Sequence, residues 1–368
     1  MNVAGPPSGA ARITEREALE LYRGCSIHEV GRIAHAVTVR LHPETYRTYV
    51  VDRNINYSNV CTAKCAFCNF KVAPGKAGGY VLDFGQIDRK IEELLAIGGT
   101  QILMQGGLVP GEMLPLAWYL DLLRHIRERF GTIHVHAFSP PEIFAFHKVF
   151  DMPIREVLLR LRDAGLNTIP GGGAEILVDR VRSRIGVGKT NTGEYLQVMR
   201  EAHGLGMRTT VTMMFGHVET PAERIEHLRR IRDLQDETGG FTAFICWTFQ
   251  PQNTALGRLR SVPAASPEPD GRHLALAGAH EYLRTLAVSR LFLDNVANIQ
   301  ASWVTQGPRI GQLALFFGAN DMGSVMMEEN VVSSAGSTYS LAEQEIRALI
   351  TDAGWEPRRR NCYYELLE

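Results

Sequence analysis

After residue 48 the chain repeats one unit, a strand-like apolar run followed by a helical segment, and this repetition limits the fold more than any other feature. The strand-like runs are residues 49–57, 100–105, 133–137, 167–169, 208–215, 243–249, 293–299 and 312–317. Between them, residues 86–97, 118–130, 155–164, 195–205, 222–234 and 281–290 carry helical periodicity, and 341–353 adds a helix near the end. In residues 86–97, Ile87, Ile91, Leu94 and Leu95 share one face and Gly98 stands just past the end. About eight strands alternating with helices is the pattern of a parallel α/β domain, because parallel neighbours need a long crossover between them. Polar residues cluster just after the strands: Asn59, Gln105, His136, Glu142, Glu175, His217, Gln250 and Asn320. A barrel builds its site at that end of its strands, so the expected fold is a (β/α)8 TIM-type barrel.

Residues 1–12 read as a flexible tail and 13–48 as an N-terminal helical extension, its first helix capped at Thr14 with Glu17 three residues on. The barrel then occupies 49–368, with a C-terminal helical cap. Residues 257–272, with Pro263, Pro267 and Pro269, read as a loop.

Three cysteines fall within eight residues, in the order Cys61, Cys65, Cys68, with Phe67 beside the last. Three thiolates are one short of a closed zinc site or a fully protein-ligated cubane. A 4Fe–4S cluster held this way leaves one iron open. The same residues could instead form a zinc knot with a distant His, an electron-transfer cluster with a remote fourth Cys, or buried thiols. Cys25, Cys246 and Cys362 are each isolated and give a second metal site no support.

Composition excludes several classes. Of 368 residues 45% are hydrophobic and 21% charged, with a formal net charge of −1, so no long-range field attracts nucleic acid or an acidic membrane. No run of about 18 apolar residues predicts a membrane span. The polar, turn-rich start lacks a signal pattern, and a low-potential cluster needs a reducing compartment, so the cytoplasm is the expected location.

The C-x3-C-x-F-C spacing at the end of a strand-like run resembles the radical SAM superfamily, in which S-adenosylmethionine (SAM) chelates the open iron. Gln105-Gly106-Gly107 resembles the element that receives the SAM amino group, where bare backbone lets the amine approach. Pro170-Gly-Gly-Gly-Ala-Glu175 lacks a phosphate-loop ending and reads as a tight turn on which a ligand lies, with Glu175 placed to accept from a ribose or the SAM amine. Ser139-Pro-Pro-Glu142 reads as a rigid turn carrying a carboxylate beside the cofactor, and Phe67 as packing near it. His217 and Glu219 are acid/base candidates. His134 and His136 read as satisfied barrel histidines, and Arg180, Arg182 and Arg184 as a solvated helix face.

Longer stretches narrow the resemblance. Arg53-Asn-Ile-Asn-Tyr57, residues 170–182, 234–244, Trp247-Thr-Phe-Gln-Pro251, Ser302-Trp-Val-Thr-Gln306, 318–324 and Glu328-Glu-Asn330 are similar to the dehypoxanthine futalosine cyclases of menaquinone biosynthesis. The resemblance spans roughly residues 45–355 and implies the barrel of the radical SAM type. It also implies a reaction: a reduced 4Fe–4S cluster splits SAM, and the 5′-deoxyadenosyl radical takes a hydrogen from the ribose of dehypoxanthine futalosine. The carbon radical adds to the benzoate ring, and an electron and a proton are lost. Glu219, His217 and Asp294 are the candidate bases, and a flavodoxin- or ferredoxin-type donor supplies the electron. Aminofutalosine synthase and a deazaflavin-precursor synthase would keep the three cysteines; the runs at 247–251 and 302–306 favour the cyclase. A non-catalytic metal or electron-transfer protein would need a fourth ligand and no SAM site.

Overall fold

The first barrel strand is formed by Tyr46–Val50 and Asp52–Asn56, interrupted at Val51, and it serves both of its neighbours in turn. Its lower half pairs in parallel with Asp321–Ser324, the last barrel strand, and its upper half with Gln101–Gln105, the second. The second strand pairs with His134–Ala137, and single bridges at Thr168 and Ile169 carry the sheet on to Thr209–Phe215. Phe241–Thr248 and Asn298–Gln300 then lead back to Asp321–Ser324. All of these pairings are parallel and the ring closes, which is the (β/α)8 barrel expected from the alternation. This computed structural model describes residues 12–262 and 271–367.

Local chemistry accounts for the helices between strands. Phe84–Ala96 starts at a capping box of Asp83 and Gln86, buries Ile87, Ile91 and Leu94, and is followed by Gly98 at φ +76°. Pro221–Thr238 starts at Thr220 with Glu223 and stops at Gly239 in the left-handed region. Thr14 and Glu17 form the capping box expected of them. The extension helices Glu15–Gly24 and Ile27–Leu41 pack on the outer helices Pro221–Thr238 and Ala279–Phe292. Of the expected tail, only Arg12 lies within the described residues; Pro263, Pro267 and Pro269 lie outside them. On either side of that gap Ser261–Val262 pairs with Leu274–Ala275.

Four expectations change. Residues 312–317 are not a strand: Pro308 at a helix start makes Pro308–Ala314 helical, and the eighth strand is Asp321–Ser324. Residues 293–297 are a connection, and only Asn298–Gln300 is strand. Ser139-Pro-Pro-Glu142 is not a free turn but the first turn of the helix Pro140–Val149, since proline fits at N1 and Glu142 closes a capping box on Ser139. The C-terminal cap is only partly helical. After the helix Glu343–Asp352, the strand Glu356–Arg359 pairs with Tyr46–Tyr49 on the side where Gln101–Gln105 pairs higher up. It thus fills the lower gap between the first two barrel strands. The tail that follows runs under the barrel and brings Arg360, Cys362 and Tyr364 to the floor of the central cavity.

Candidate active site

The cysteine loop leaves the top of the first strand and folds back over the barrel mouth. Cys61 N–H donates to Val72 at 2.9 Å, and Lys71 Nζ donates to the carbonyls of Cys65 and Cys68 at 2.7 and 2.6 Å. Lys64 and Cys65 pair with Val187 and Gly186 in a short antiparallel ladder that ties the loop to the far side of the barrel. All three cysteines line one cavity of about 380 Å³ with Phe67, Gln105, Gly106, Gly107, Ser139, Glu142 and Glu175. Leu108 N–H points at Cys61 Sγ at 3.3 Å, the kind of donor that stabilises a thiolate. Burial pushes the Cys65 thiol up to about 11, against the pull of Lys189, so this sulfur needs a metal to lose its proton. Among the described residues no three His, Cys, Asp or Glu converge on a single ion, as zinc requires. A cubane asks the opposite, because each thiolate takes its own iron.

The Gly-Gly turn is fitted against this loop. A Cβ on Gly107 would stand 2.1 Å from the Val60 carbonyl oxygen and 2.8 Å from Cys61 Cβ, and one on Gly106 would enter the Tyr57 ring at 2.4 Å. Glu142 holds the turn. Its Oε1 accepts from Gly106 N–H at 2.9 Å and Tyr57 O–H at 2.7 Å, and its Oε2 from Ser139 N–H and Oγ–H at 2.8 and 2.6 Å. With both oxygens occupied, the carboxylate positions Gly106. Across the cavity, Glu175 sits at φ +45° and accepts from Lys189 Nζ at 2.5 Å, while that ammonium lies 5.2 Å from the Phe67 ring centre. Arg182 is buried, and its guanidinium donates to the carbonyls of Gly173, Ala174 and Thr190. It clamps the two turns that present Glu175 and Lys189, which corrects its reading as a solvated side chain.

Comparison with known proteins agrees with this geometry. A model of the radical SAM superfamily matches residues 55–231, and one described as the CofH/MqnC C-terminal region matches 238–368. The chain is 43% identical to the cyclic dehypoxanthine futalosine synthase of Halalkalibacterium halodurans, over 97% of this chain and 92% of that one. It is 42% identical to the synthase of the same name from Streptomyces coelicolor, over 98% and 87%. The chain belongs to the radical SAM enzymes, in the family of the cyclic dehypoxanthine futalosine synthases. A second group of relatives carries another name: the 5-amino-6-(D-ribitylamino)uracil–L-tyrosine 4-hydroxyphenyl transferase 1 of Methanosarcina mazei is 41% identical over 86% and 81%. The solved structure of methylornithine synthase shares the fold, with a TM-score of 0.70 at 18% identity over 95% of both chains. Membership of the superfamily implies a 4Fe–4S cluster and SAM. No described helix is long and apolar enough to cross a membrane.

The three candidate bases lie away from the cavity of this radical SAM enzyme. His217 and Glu219 are fully buried behind the fifth strand. Glu219 accepts from Gly216 N–H at 2.7 Å and His217 N–H at 2.9 Å, and Arg224 reaches it at 2.7 Å. Burial alone would raise this carboxyl, but His217 and the Arg224 guanidinium hold it well below the ordinary range. His217 Nε2 meets the Met214 carbonyl at 3.0 Å. Arg224 continues to Glu281 at 2.6 Å and to Tyr22 of the extension, so this network ties outer helices together. Asp294 sits in the turn that enters the seventh strand, at the opposite end from the cysteines, paired with Arg12 at 2.6 Å.

The cavity instead presents a polar layer that the loop-by-loop reading passed over. Asp52, Asn54 and Asn56 line it from the first strand, Gln101 from the second, His136 from the third, and Thr210 and Thr212 from the fifth. Asn54 Oδ1, Gln101 Oε1 and the Tyr364 hydroxyl, on three of these lining residues, are buried without a protein partner, so an ordered water or a polar ligand is needed to satisfy them. The signal was available as alternation: Asp52, Asn54 and Asn56 occupy every second position of the strand, with Arg53 and Ile55 between them on its other face.

Proposed function

We propose that this chain converts dehypoxanthine futalosine to its cyclic product, with Cys61, Cys65 and Cys68 holding a 4Fe–4S cluster that leaves one iron for SAM. One observation carries the reading: the cysteine loop and the polar residues Asn54, Gln101 and Tyr364 line the same cavity, in a chain whose relatives of that name align over nearly its full length. The residues fit the cofactors. The thiols line the cavity, a backbone N–H already faces Cys61, and the Gly106–Gly107 backbone lies bare beside them. When bound, cluster and SAM together supply a 5′-deoxyadenosyl radical able to remove a hydrogen from the substrate ribose.

The protein's own groups do the rest. Gln105, Gly106 and Gly107 offer backbone and amide to the amino-acid end of SAM, and Ser139 and Glu142 keep that turn in place. Glu175, steadied by Lys189 and Arg182, faces the sugar, and Phe67 packs on the same side. Asn54, Gln101 and Tyr364 hydrogen-bond the polar substrate deeper in. The barrel walls, the cysteine loop and the C-terminal floor limit the directions from which water reaches a carbon radical. A donor of the flavodoxin or ferredoxin type supplies the electron, in the cytoplasm. Nucleic acid and membrane have no part.

The test offers the anaerobically reconstituted enzyme two substrate sets, each with SAM and a reductant. One is dehypoxanthine futalosine alone; the other is L-tyrosine with 5-amino-6-(D-ribitylamino)uracil. The cyclase reading expects 5′-deoxyadenosine and a cyclised product only with the first. Turnover only with the second would replace it by the transferase reading of the Methanosarcina relative.

A further inference from the structure

The cavity holds few side chains free to take a proton. Asp52 accepts from Ser324 and from Gln101, Glu142 accepts four hydrogen bonds, and Glu175 is paired with Lys189. Glu329 accepts the backbone N–H groups of Val331, Val332 and Ser333 at 2.7–2.9 Å. His136 differs. Its Nδ1 meets Thr168 Oγ1 at 2.7 Å, leaving Nε2 for the cavity that the ring lines. The same Thr168 hydroxyl lies 2.7 Å from His134 Nε2. His134 is only partly buried and sits under the edge of Tyr363, which is 44% exposed. One hydroxyl therefore joins a cavity imidazole to a second imidazole at the barrel floor. Two histidines two positions apart on one strand face the same side, and the short fourth strand supplies the threonine between them.

We propose that His136 takes the proton released when the substrate's aromatic ring is restored, and that Thr168 and His134 carry it out through the floor. The inference rests on the cyclase reading above. The ring C–H bond breaks with its electron pair left in the ring and its proton on His136 Nε2. The Nδ1 proton passes to Thr168 Oγ1, the threonine's own proton passes to His134 Nε2, and His134 releases its Nδ1 proton to water. The ring, now a radical anion, gives one electron to a one-electron acceptor of the iron–sulfur class and is aromatic again. Burial, with Arg360 and His134 facing it, pushes His136 down to about 3, and burial pushes His134 down to about 4. A proton cannot rest on either ring at neutral pH, so onward transfer is what makes the base effective. The other polar neighbours are Cys362, 3.4 Å from the Thr168 hydroxyl, and Tyr363, and Asp321 neutralises Arg360.

Two variants of the reconstituted full chain test this, His136→Gln and Thr168→Val, assayed from pH 6 to 9 with SAM and dehypoxanthine futalosine. The expectation for His136→Gln is 5′-deoxyadenosine at the wild-type extent with cyclised product down about 10²-fold or more. For Thr168→Val the expected loss of product is about tenfold, recovering as pH rises and solvent base substitutes for the relay. A purely structural role would leave the product-to-deoxyadenosine ratio and its pH profile unmoved. Wild-type ratios in both variants would overturn the assignment. So would loss of deoxyadenosine from a cluster-loaded His136→Gln, which would make the residue one of binding. If the wild type itself makes no cyclised product, the cyclase reading falls first, and that is seen before either variant is assayed.

Discussion

Glu219→Gln separates a catalytic carboxylate from a structural one. Glu219 is fully buried and the Arg224 side chain is 3% exposed, with 2.7 Å between them. Replacing the carboxylate by an amide leaves the guanidinium buried with Glu281 as its remaining acidic partner, and turns an NH2 toward N–H donors of the 216–217 turn. Removing one partner of a buried ion pair costs about 3–5 kcal/mol. For a chain longer than 250 residues each kcal/mol lowers Tm by roughly 2 °C, so a fall of about 6–10 °C is expected. Turnover per loaded cluster, measured well below that temperature, stays within about twofold of wild type. The pH dependence has a definite sign. The folded-state carboxyl is held below its unfolded value, so its stabilisation is fully present above about pH 4.3 and fades as pH falls below it. The stability gap between wild type and variant therefore narrows in acid. A variant with wild-type Tm and turnover down a hundredfold would refute the structural assignment and restore Glu219 as the base.

Three further outcomes follow from the same geometry. Gly107→Ala pushes a methyl group at the Val60 carbonyl and the Cys61 side chain, costing about 1–3 kcal/mol and lowering iron per chain after reconstitution, read by iron analysis. Lys189→Met strands Glu175 beside Cys65; chemical denaturation should show a loss of about 3–5 kcal/mol, reduced by the 15% exposure of the lysine side chain. Asp294→Asn breaks a partly exposed pair with Arg12 and should cost no more than about 1 kcal/mol with deoxyadenosine formation unchanged, since the residue lies at the wrong end of the barrel.

The barrel was legible because its signals are local and repeated. Apolar runs, the capping pair Thr14 and Glu17, and the glycines after helices each act within a few positions. The failures have physical reasons. Residues 312–317 are apolar enough for a strand, and only the proline at 308 says that a helix has begun. Ser139 and Glu142 carried a capping-box spacing, yet two prolines made the segment look like a turn. Site residues divided along a similar line. The cysteines and glycines are set by spacing along the chain. Whether a polar residue after a strand faces the cavity or the outer helices depends on a half-turn of backbone, which is why Glu219 and His217 were misplaced. Arg182 looked like one charge of a helical row, and its burial depends on carbonyls contributed by two separate turns. The floor was least legible, because Arg360, Cys362 and Tyr364 reach the cavity only when the C-terminal strand pairs with the first.

The most direct measurement follows a label. Dehypoxanthine futalosine deuterated on its ribose is given to the reconstituted enzyme with SAM and one electron equivalent, and the nucleoside products are weighed by mass spectrometry. The account predicts one deuterium in 5′-deoxyadenosine for each cyclised product formed, and neither product in Cys65→Ala. Unlabelled deoxyadenosine beside unchanged substrate, from a fully loaded cluster, would contradict it.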